Sequence, residues 1–293
     1  MNELAITPDL AASAMRGLMS RGVEQAERVM LEHEQVDCPV IHHFGPGIYT
    51  REVHLKAGTL AIGHRQKQEH VNVILKGRVL MLRDDGSTQE LAAPLMFIGQ
   101  PGRKMGWVLE DTVWQNIYAT TVRDVCTLED MFLDKSFGWK EAAVFRARAA
   151  YALHDQDRED FASMLQESGF SAELVRQQSE NTADQTSMPL GSWKIKLGDS
   201  PIQGTGVFLT ADAIPFEILG PARVQGMRTP LGRYTNHSRN PNAKMVLRPN
   251  GDVDLVALRE IRGCRGGEDG EEVTIDYRQA LRLSGIICKG EPV

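Results

Sequence analysis

The sequence predicts a mainly β protein with helical segments: a small barrel or sandwich, a helical connector, and a second β fold. Three observations predict it. Short apolar or alternating runs broken by Gly- and Asp-containing turns crowd residues 48–120 and return after Leu190. Between them, residues 138–178 have helical composition. The stretch Ser179–Pro189, SENTADQTSMP, is polar without any apolar period and reads as a linker. The expected boundaries are therefore a helical segment 1–46, a β domain 47–136, a helical connector and linker 137–189, and a C-terminal domain 190–293.

In order along the chain, residues 8–35 carry Leu10, Ala14, Leu18 and Val29 on roughly one helical face. IYTREVHLKAGTLAIG turns at Ala57–Gly58. VNVILKGRVLMLRDDGSTQEL reads as two strands broken at Lys76–Gly77, then a turn at Asp85–Gly86. PLMFIGQPG and DTVWQNIYAT supply further strands. Asp157 and Ser171 are expected helix N-caps, and Gly169 the end of the middle helix. Beyond Leu190, turns are expected at Pro249–Asn250–Gly251 and through GCRGGEDG.

With 42% hydrophobic and 25% charged residues, the 293-residue chain has the composition of a soluble globular protein and room for two cores. No apolar run approaches a membrane span, and MNELAITPDL lacks a secretory pattern, so a cytoplasmic protein without membrane contact is expected. Cys38, Cys126, Cys264 and Cys288 are far apart, which argues for free thiols rather than zinc or disulfides. Residues 1–189 have 19 Lys+Arg against 27 Asp+Glu, and residues 190–293 have 14 against 12. No dense basic stripe results, so nucleic acid is not an expected partner.

Three pieces of the C-terminal third carry chemistry only in combination. They are SPIQGTGVFL (Ser200–Leu209), GRYTNHSRNPN (Gly232–Asn242), and LREI followed by GEEVTIDY (Leu258–Tyr277). In this order and spacing they resemble the SET-domain family of protein lysine methyltransferases over about residues 191–280. The resemblance implies a minimal SET-type β fold in which the Asn-His-Ser loop meets Asp276–Tyr277 in a knot-like crossing, with S-adenosylmethionine against both. It implies cofactor contacts from Gly204, Thr205, Gly206, Asn236 and His237. The glycines allow close backbone approach, Thr205 offers backbone groups, and the Asn236 amide both donates and accepts, which suits the cofactor's amino and carboxylate ends. Ser238 and Asn242 are expected to hold the loop's shape.

The resemblance places Tyr277 as the catalytic tyrosine, orienting the acceptor amine, and Tyr234 as a second aromatic wall. The acceptor lysine must shed its proton, which an apolar channel beside a sulfonium favours, and alignment supplies much of the rate. Glu271–Glu272 after Gly270 reads as a solvated turn rather than a general base, and Asp276 as an acceptor of backbone bonds. Departures from the family pattern are the long RGCRGGEDG turn and the tail RQALRLSGIICKGEPV, which holds only Cys288, so no metal is expected. A lid must then come from Leu281, Leu283, Ile286, Ile287 or the other domain.

The first β region resembles the cupin family. Gly58, His64 and Gly77 keep that family's spacing, but Gln66 stands where a second ligand His belongs, and His70 takes the Glu position. His64, Glu69 and His70 make at most a partial ligand set, with Glu69 and His70 on opposite strand faces. The expectation is a cupin-like scaffold without metal. His42, His43 and His54 are expected at the surface or in turns, and Trp107 and Trp114 in the barrel or an interface. The pairing of the two domains resembles proteins of tailed bacteriophages, which implies a host or phage protein as substrate and the bacterial host cytoplasm, or the virion, as location. Oligomeric state stays open, although cupin-like barrels commonly dimerise. Methyl transfer to a protein lysine is the leading functional expectation. The alternative is a non-catalytic phage structural or host-interaction protein that reuses both scaffolds for assembly.

Overall fold

Strands dominate the computed structural model, which describes residues 6–266 and 268–286. Ile287 and Cys288 lie outside the described residues. The chain divides into two compact units: residues 1–142, 190–192 and 264–268 form the first, and 143–189, 193–263 and 269–293 the second.

Two helices, α1 (Pro8–Met19) and α2 (Val23–Leu31), precede β1 (Val40–Gly45), β2 (Ile48–Leu55), β3 (Leu60–Ile62), β4 (Arg65–Gln66) and β5 (His70–Leu82). Then come β6 (Thr88–Ala92), β7 (Leu95–Gly99), β8 (Met105–Ala119), α3 (Val125–Phe132) and β9 (Leu133–Asp134). Helix α4 (Phe137–Ala150) spans the boundary in sequence, followed by a short 3₁₀ turn, Tyr151–His154, and by α5 (Asp155–Ser168) and α6 (Ala172–Glu180). Strand β10 (Gly191–Trp193) leads to β11 (Ile195–Asp199), β12 (Thr205–Leu209), β13 (Ile218–Val224), β14 (Met227–Arg228), α7 (Pro230–Tyr234) and β15 (Asn236–His237). The chain continues through β16 (Ala243–Leu247), β17 (Val253–Ala257), β18 (Glu272–Ile275) and α8 (Tyr277–Leu283).

In the first unit the strands run in the order β10-β1-β2-β8-β5-β6, with β3 added on β8 and β7 on β5. This path has two ends, so the sheet is not a closed barrel, and that half of the expectation is corrected. Lys76–Gly77 does not separate two strands either. β5 passes through it as one strand with register shifts against β8. Gly77 has φ +87, and a Cβ there would lie 2.7 Å from the Thr112 Cα, so a bulge at this point requires glycine. Ala11, Ala12, Met15 and Ala26 pack on Leu80 and Met105. The face of α1 is thus centred one position away from the expected one: Leu10 and Ala14 are exposed, because the small alanines allow close approach to the sheet. Trp114 joins Ile74, Val79 and Leu91 in a second cluster.

His42 overturns its expected surface position. It is 0% exposed, and its Nδ1 lies 2.7 Å from the Tyr49 hydroxyl.

The second unit holds two four-stranded sheets, β11-β12-β18-β15 and β14-β13-β17-β16. The helices expected to connect the halves are divided between the units, with α5 and α6 in the second. Ser171 caps α6 through the Leu174 N–H at 3.1 Å, and Gly169, at φ +74, ends α5. Among the described residues, no helix is long and apolar enough to cross a membrane.

Acid should loosen the first unit. Burial lowers the His42 pKa from 6.5 to about 4. Burial raises the Glu129 carboxyl, but Lys135 at 2.7 Å outweighs it and holds that pKa at about 2 instead of 4.5. Both folded values lie below the unfolded ones. Each group therefore contributes stability above its unfolded pKa and loses it as pH falls through its folded pKa. Calorimetric scans should show the first unit's Tm falling as pH drops from 6.5 towards 4, less steeply in His42→Gln; equal slopes would remove His42 from the account.

Candidate functional site

The polar loop after α7 has no apolar face, and the structure holds it by hydrogen bonds instead. The Thr235 hydroxyl donates to the Leu231 carbonyl at 2.6 Å, at the end of α7. Asn236 and His237 then run parallel to β18, opposite Thr274 and Ile275, and the Ser238 N–H extends the ladder to the Ile275 carbonyl at 3.0 Å. Asn242, 1% exposed, closes it: its Nδ2 donates to the Glu272 carbonyl at 2.7 Å, and its Oδ1 accepts from the Thr274 N–H at 2.8 Å. One amide side chain replaces a missing strand, and losing it would strand two buried backbone groups. Asn242 therefore shapes the loop as expected, through a strand 30 residues away and not through local backbone.

Ser200 and the Gly204-Thr205-Gly206 turn lie beside this ladder. Gly204 takes the left-handed conformation, φ +57, with open space where a Cβ would stand. Gly206 needs its bare face for another reason: a Cβ would lie 2.6 Å from the Glu272 Cδ. Glu272 is 6% exposed and accepts from the Ser200 hydroxyl at 2.7 Å and the Asn236 Nδ2 at 2.7 Å. Burial pushes its carboxyl up from the ordinary range, opposed by those two donors. The solvated-turn reading of Glu272 is corrected: its side chain is buried against the bare face of the glycine. Glu271 does pair outward, with the Arg259 guanidinium.

The same contacts orient Asn236. Its Nδ2 faces Ser200, Glu272 and the carbonyls of Gln203 and Thr205, at 2.7–3.3 Å. Its Oδ1 accepts from no donor among the described residues. The amide's donating end is therefore spent, and its accepting end is presented.

Tyr277 meets this loop directly. Its hydroxyl donates to the Thr235 carbonyl at 3.0 Å, and its backbone N–H donates to His237 Nδ1 at 3.1 Å. The His237 and Tyr277 rings are 5.4 Å apart, and the Phe161 ring stands edge-on to Tyr277 at 5.9 Å. Burial, with the nearby Glu272 charge, pushes the phenol up to about 12, so Tyr277 is neutral at physiological pH. The structure thus brings Asn236, His237 and Tyr277 together beside the glycine turn. Tyr234 stands at the end of α7 with the Arg233 guanidinium 4.9 Å over its ring, and it hydrogen-bonds neither Tyr277 nor His237. Asp276 caps α8 by accepting from the Arg278 N–H at 2.9 Å.

Helix α5 is the part that sequence spacing did not show. Because His237 Nδ1 accepts from Tyr277, the ring's proton sits on Nε2, which donates to Asp160 at 2.9 Å. Asp160 also accepts from Arg278 at 2.8 Å, and Arg278 from its other edge reaches Glu167 at 3.0 Å. Arg278 and His237 together hold the Asp160 carboxyl below the usual range. Asp157 is not an N-cap. Lying in the first turn of α5, it accepts from the Ser238 hydroxyl at 2.8 Å and the Arg239 N–H at 2.9 Å. Its carboxylate serves a loop 81 residues away, a pairing invisible to local patterns.

Gly206→Ala should cost about 1–3 kcal/mol in urea unfolding by displacing Glu272. In a Glu272→Ala background the added cost should shrink below about 1 kcal/mol. An equal cost in both backgrounds would mean that Gly206 is constrained by something else.

Comparison with known proteins adds the family. No curated protein matches the chain. Solved structures similar to it include a cupin-2 domain-containing protein from Shewanella frigidimarina, at 12% identity and TM-score 0.24, covering 32% of this chain and 90% of the other. A cupin-domain protein from Bordetella pertussis matches at 16% identity and TM-score 0.25, covering 30% of this chain and 98% of the other. The SET-domain family model matches residues 115–278, more than half of the 293-residue chain. It takes in α5 as well as the glycine turn, the Asn236–His237 loop and Tyr277, and the chain belongs to the SET-domain family.

Proposed function

We propose that this protein transfers a methyl group from S-adenosylmethionine to a lysine of a protein substrate. The observation that carries the reading is the meeting of Asn236, His237 and Tyr277 beside Gly204–Gly206, within a chain of the SET family. The residues present fit one end of the cofactor: Asn236 Oδ1, fixed by the bonds of its own nitrogen, is an acceptor suited to the α-ammonium. The expected second role of Asn236, donating to the carboxylate, does not fit, because its N–H groups are already committed. The open side of Gly204 and the backbone of Thr205 complete the cradle.

When bound, S-adenosylmethionine supplies a sulfonium methyl group open to in-line displacement. Tyr277 positions the acceptor. With its proton directed to the Thr235 carbonyl, its hydroxyl oxygen has lone pairs to receive an amine N–H and so aims the nitrogen lone pair. A phenol held neutral to about pH 12 is not the base. The lysine proton leaves to solvent before transfer, favoured by desolvation. Phe161 and His237 wall the tyrosine and keep its orientation. A host or phage protein in the bacterial cytoplasm is the substrate class this reading takes.

A second reading, a non-catalytic scaffold used for assembly, is favoured by one observation: Glu272 occupies the bare face of Gly206 and takes the Asn236 amide. Calorimetry separates the two. The enzyme reading expects one S-adenosylmethionine site per chain, weakened at least about tenfold by Asn236→Ala. Tyr277→Phe should keep binding and lower single-turnover transfer about 10²-fold or more. Absence of cofactor binding would favour the scaffold, and unchanged transfer in Tyr277→Phe would remove that residue from the mechanism.

A further inference from the structure

One face of the first unit's sheet is not the apolar surface that a core requires. His42 on β1, Arg51 on β2, Asn116 on β8 and Asn72 on β5 stand directly opposite one another across four strands. Such partners share a face of the sheet. One pleat along, Phe44, Tyr49 and Tyr118 are likewise opposed, and His70 stacks on Tyr118 at 5.4 Å.

A donor count shows what this face lacks. Fully buried Tyr49 has a hydroxyl with no acceptor among the described residues other than His42 Nδ1 at 2.7 Å, so the hydroxyl donates there and the ring's proton lies on Nε2. Among the described residues that buried N–H has no partner, nor has the buried Nε–H of Arg51 opposite it or the buried Nδ2 of Asn72 in the same row. Among the described residues no hydrogen bond or ion pair holds the Arg51 guanidinium. Glu129, whose charge acts on the same histidine, is already bonded to Lys135 at 2.7 Å. This row therefore holds one positive charge beside three orphaned donors. Water would satisfy the donors and leave the charge uncompensated.

We propose that this face binds a small monocarboxylate anion, its oxygens accepting from His42 Nε2–H and Arg51. A planar carboxylate matches the guanidinium fork. A dianion is matched less well, because burial disfavours the charged form of His42, which leaves Arg51 as the one cation in the row His42–Arg51–Asn116–Asn72. A divalent cation is not matched. No three His, Cys, Asp or Glu side chains among the described residues converge as a ligand set, and the guanidinium would repel a metal ion.

Titration calorimetry on the full chain tests this with acetate, propionate, neutral acetamide and inorganic phosphate. Saturable binding of the carboxylates, absent for acetamide and at least tenfold weaker for phosphate, is expected. Arg51→Met should weaken carboxylate binding at least tenfold while the Tm of the free protein stays the same or rises, since the substitution removes an unpaired charge. The proposal is overturned by no carboxylate binding to the wild type, by equal binding of acetamide or phosphate, or by carboxylate binding that survives Arg51→Met. A Tm drop in Arg51→Met without ligand would overturn it too, by showing that the guanidinium serves the fold.

Discussion

The side chain of Asn242 is the constraint on which the second unit's site depends. Buried between β16 and β18, it gives the final strand the backbone partners that the preceding irregular loop does not supply. The parallel pairing of Asn236–His237 with Thr274–Ile275 is too short to persist by itself. With Asn242 and the Ser238 N–H added, the loop and the strand become one piece. The positions of Asn236, His237 and Tyr277 follow from that join.

Charge then fixes what packing leaves free. Asp160 and Asp157, one turn apart on α5, hold His237 and the backbone after Ser238. Arg278, one residue after the tyrosine, ties the same helix to the start of α8. The half-buried Arg278 serves the carboxylates of Asp160, Glu167 and Asp276, and the energetic value of such a network lies in breaking it: removal of one partner leaves a charge poorly solvated. The helix therefore acts on the tyrosine's surroundings through the imidazole, whose Nε2–H its carboxylate accepts while the Tyr277 N–H sets the tautomer. Glu272 plays the opposite part. It is buried against a glycine and supported by neutral donors, and it orients the Asn236 amide while occupying space beside it.

What the sequence made legible was what local chemistry spells out. The Gly-Thr-Gly turn, the Asn-His-Ser loop and the terminal Asp-Tyr are rare enough in combination to place the second fold and bring its central residues to one spot. Ser171 starts α6 through its hydroxyl, and Gly169, lacking a Cβ, ends α5 in the left-handed conformation. The misses share one cause, which is that tertiary partners reassigned a residue type. Asp157 looked like a cap and serves a distant loop. Glu272 looked like half of a solvated pair, but it is buried in β18 against the bare face of Gly206, while Glu271, just before the strand, pairs with Arg259. His42 had no ligand-like spacing, and only the strand register shows it buried opposite Arg51. Lys76–Gly77 looked like a strand break, and the long pairing of β5 with β8 absorbed it as a bulge.

The central claim is that the loop and the final strand together make a cradle whose accepting group is Asn236 Oδ1. A crystal structure grown with S-adenosylhomocysteine tests it most directly. The account predicts the ligand's ammonium within hydrogen-bond distance of Asn236 Oδ1 and its chain along the backbone of residues 204–206, with Tyr277 still bonded to Thr235. Crystals grown at saturating ligand that contain none, with Glu272 unmoved on the face of Gly206, would contradict it.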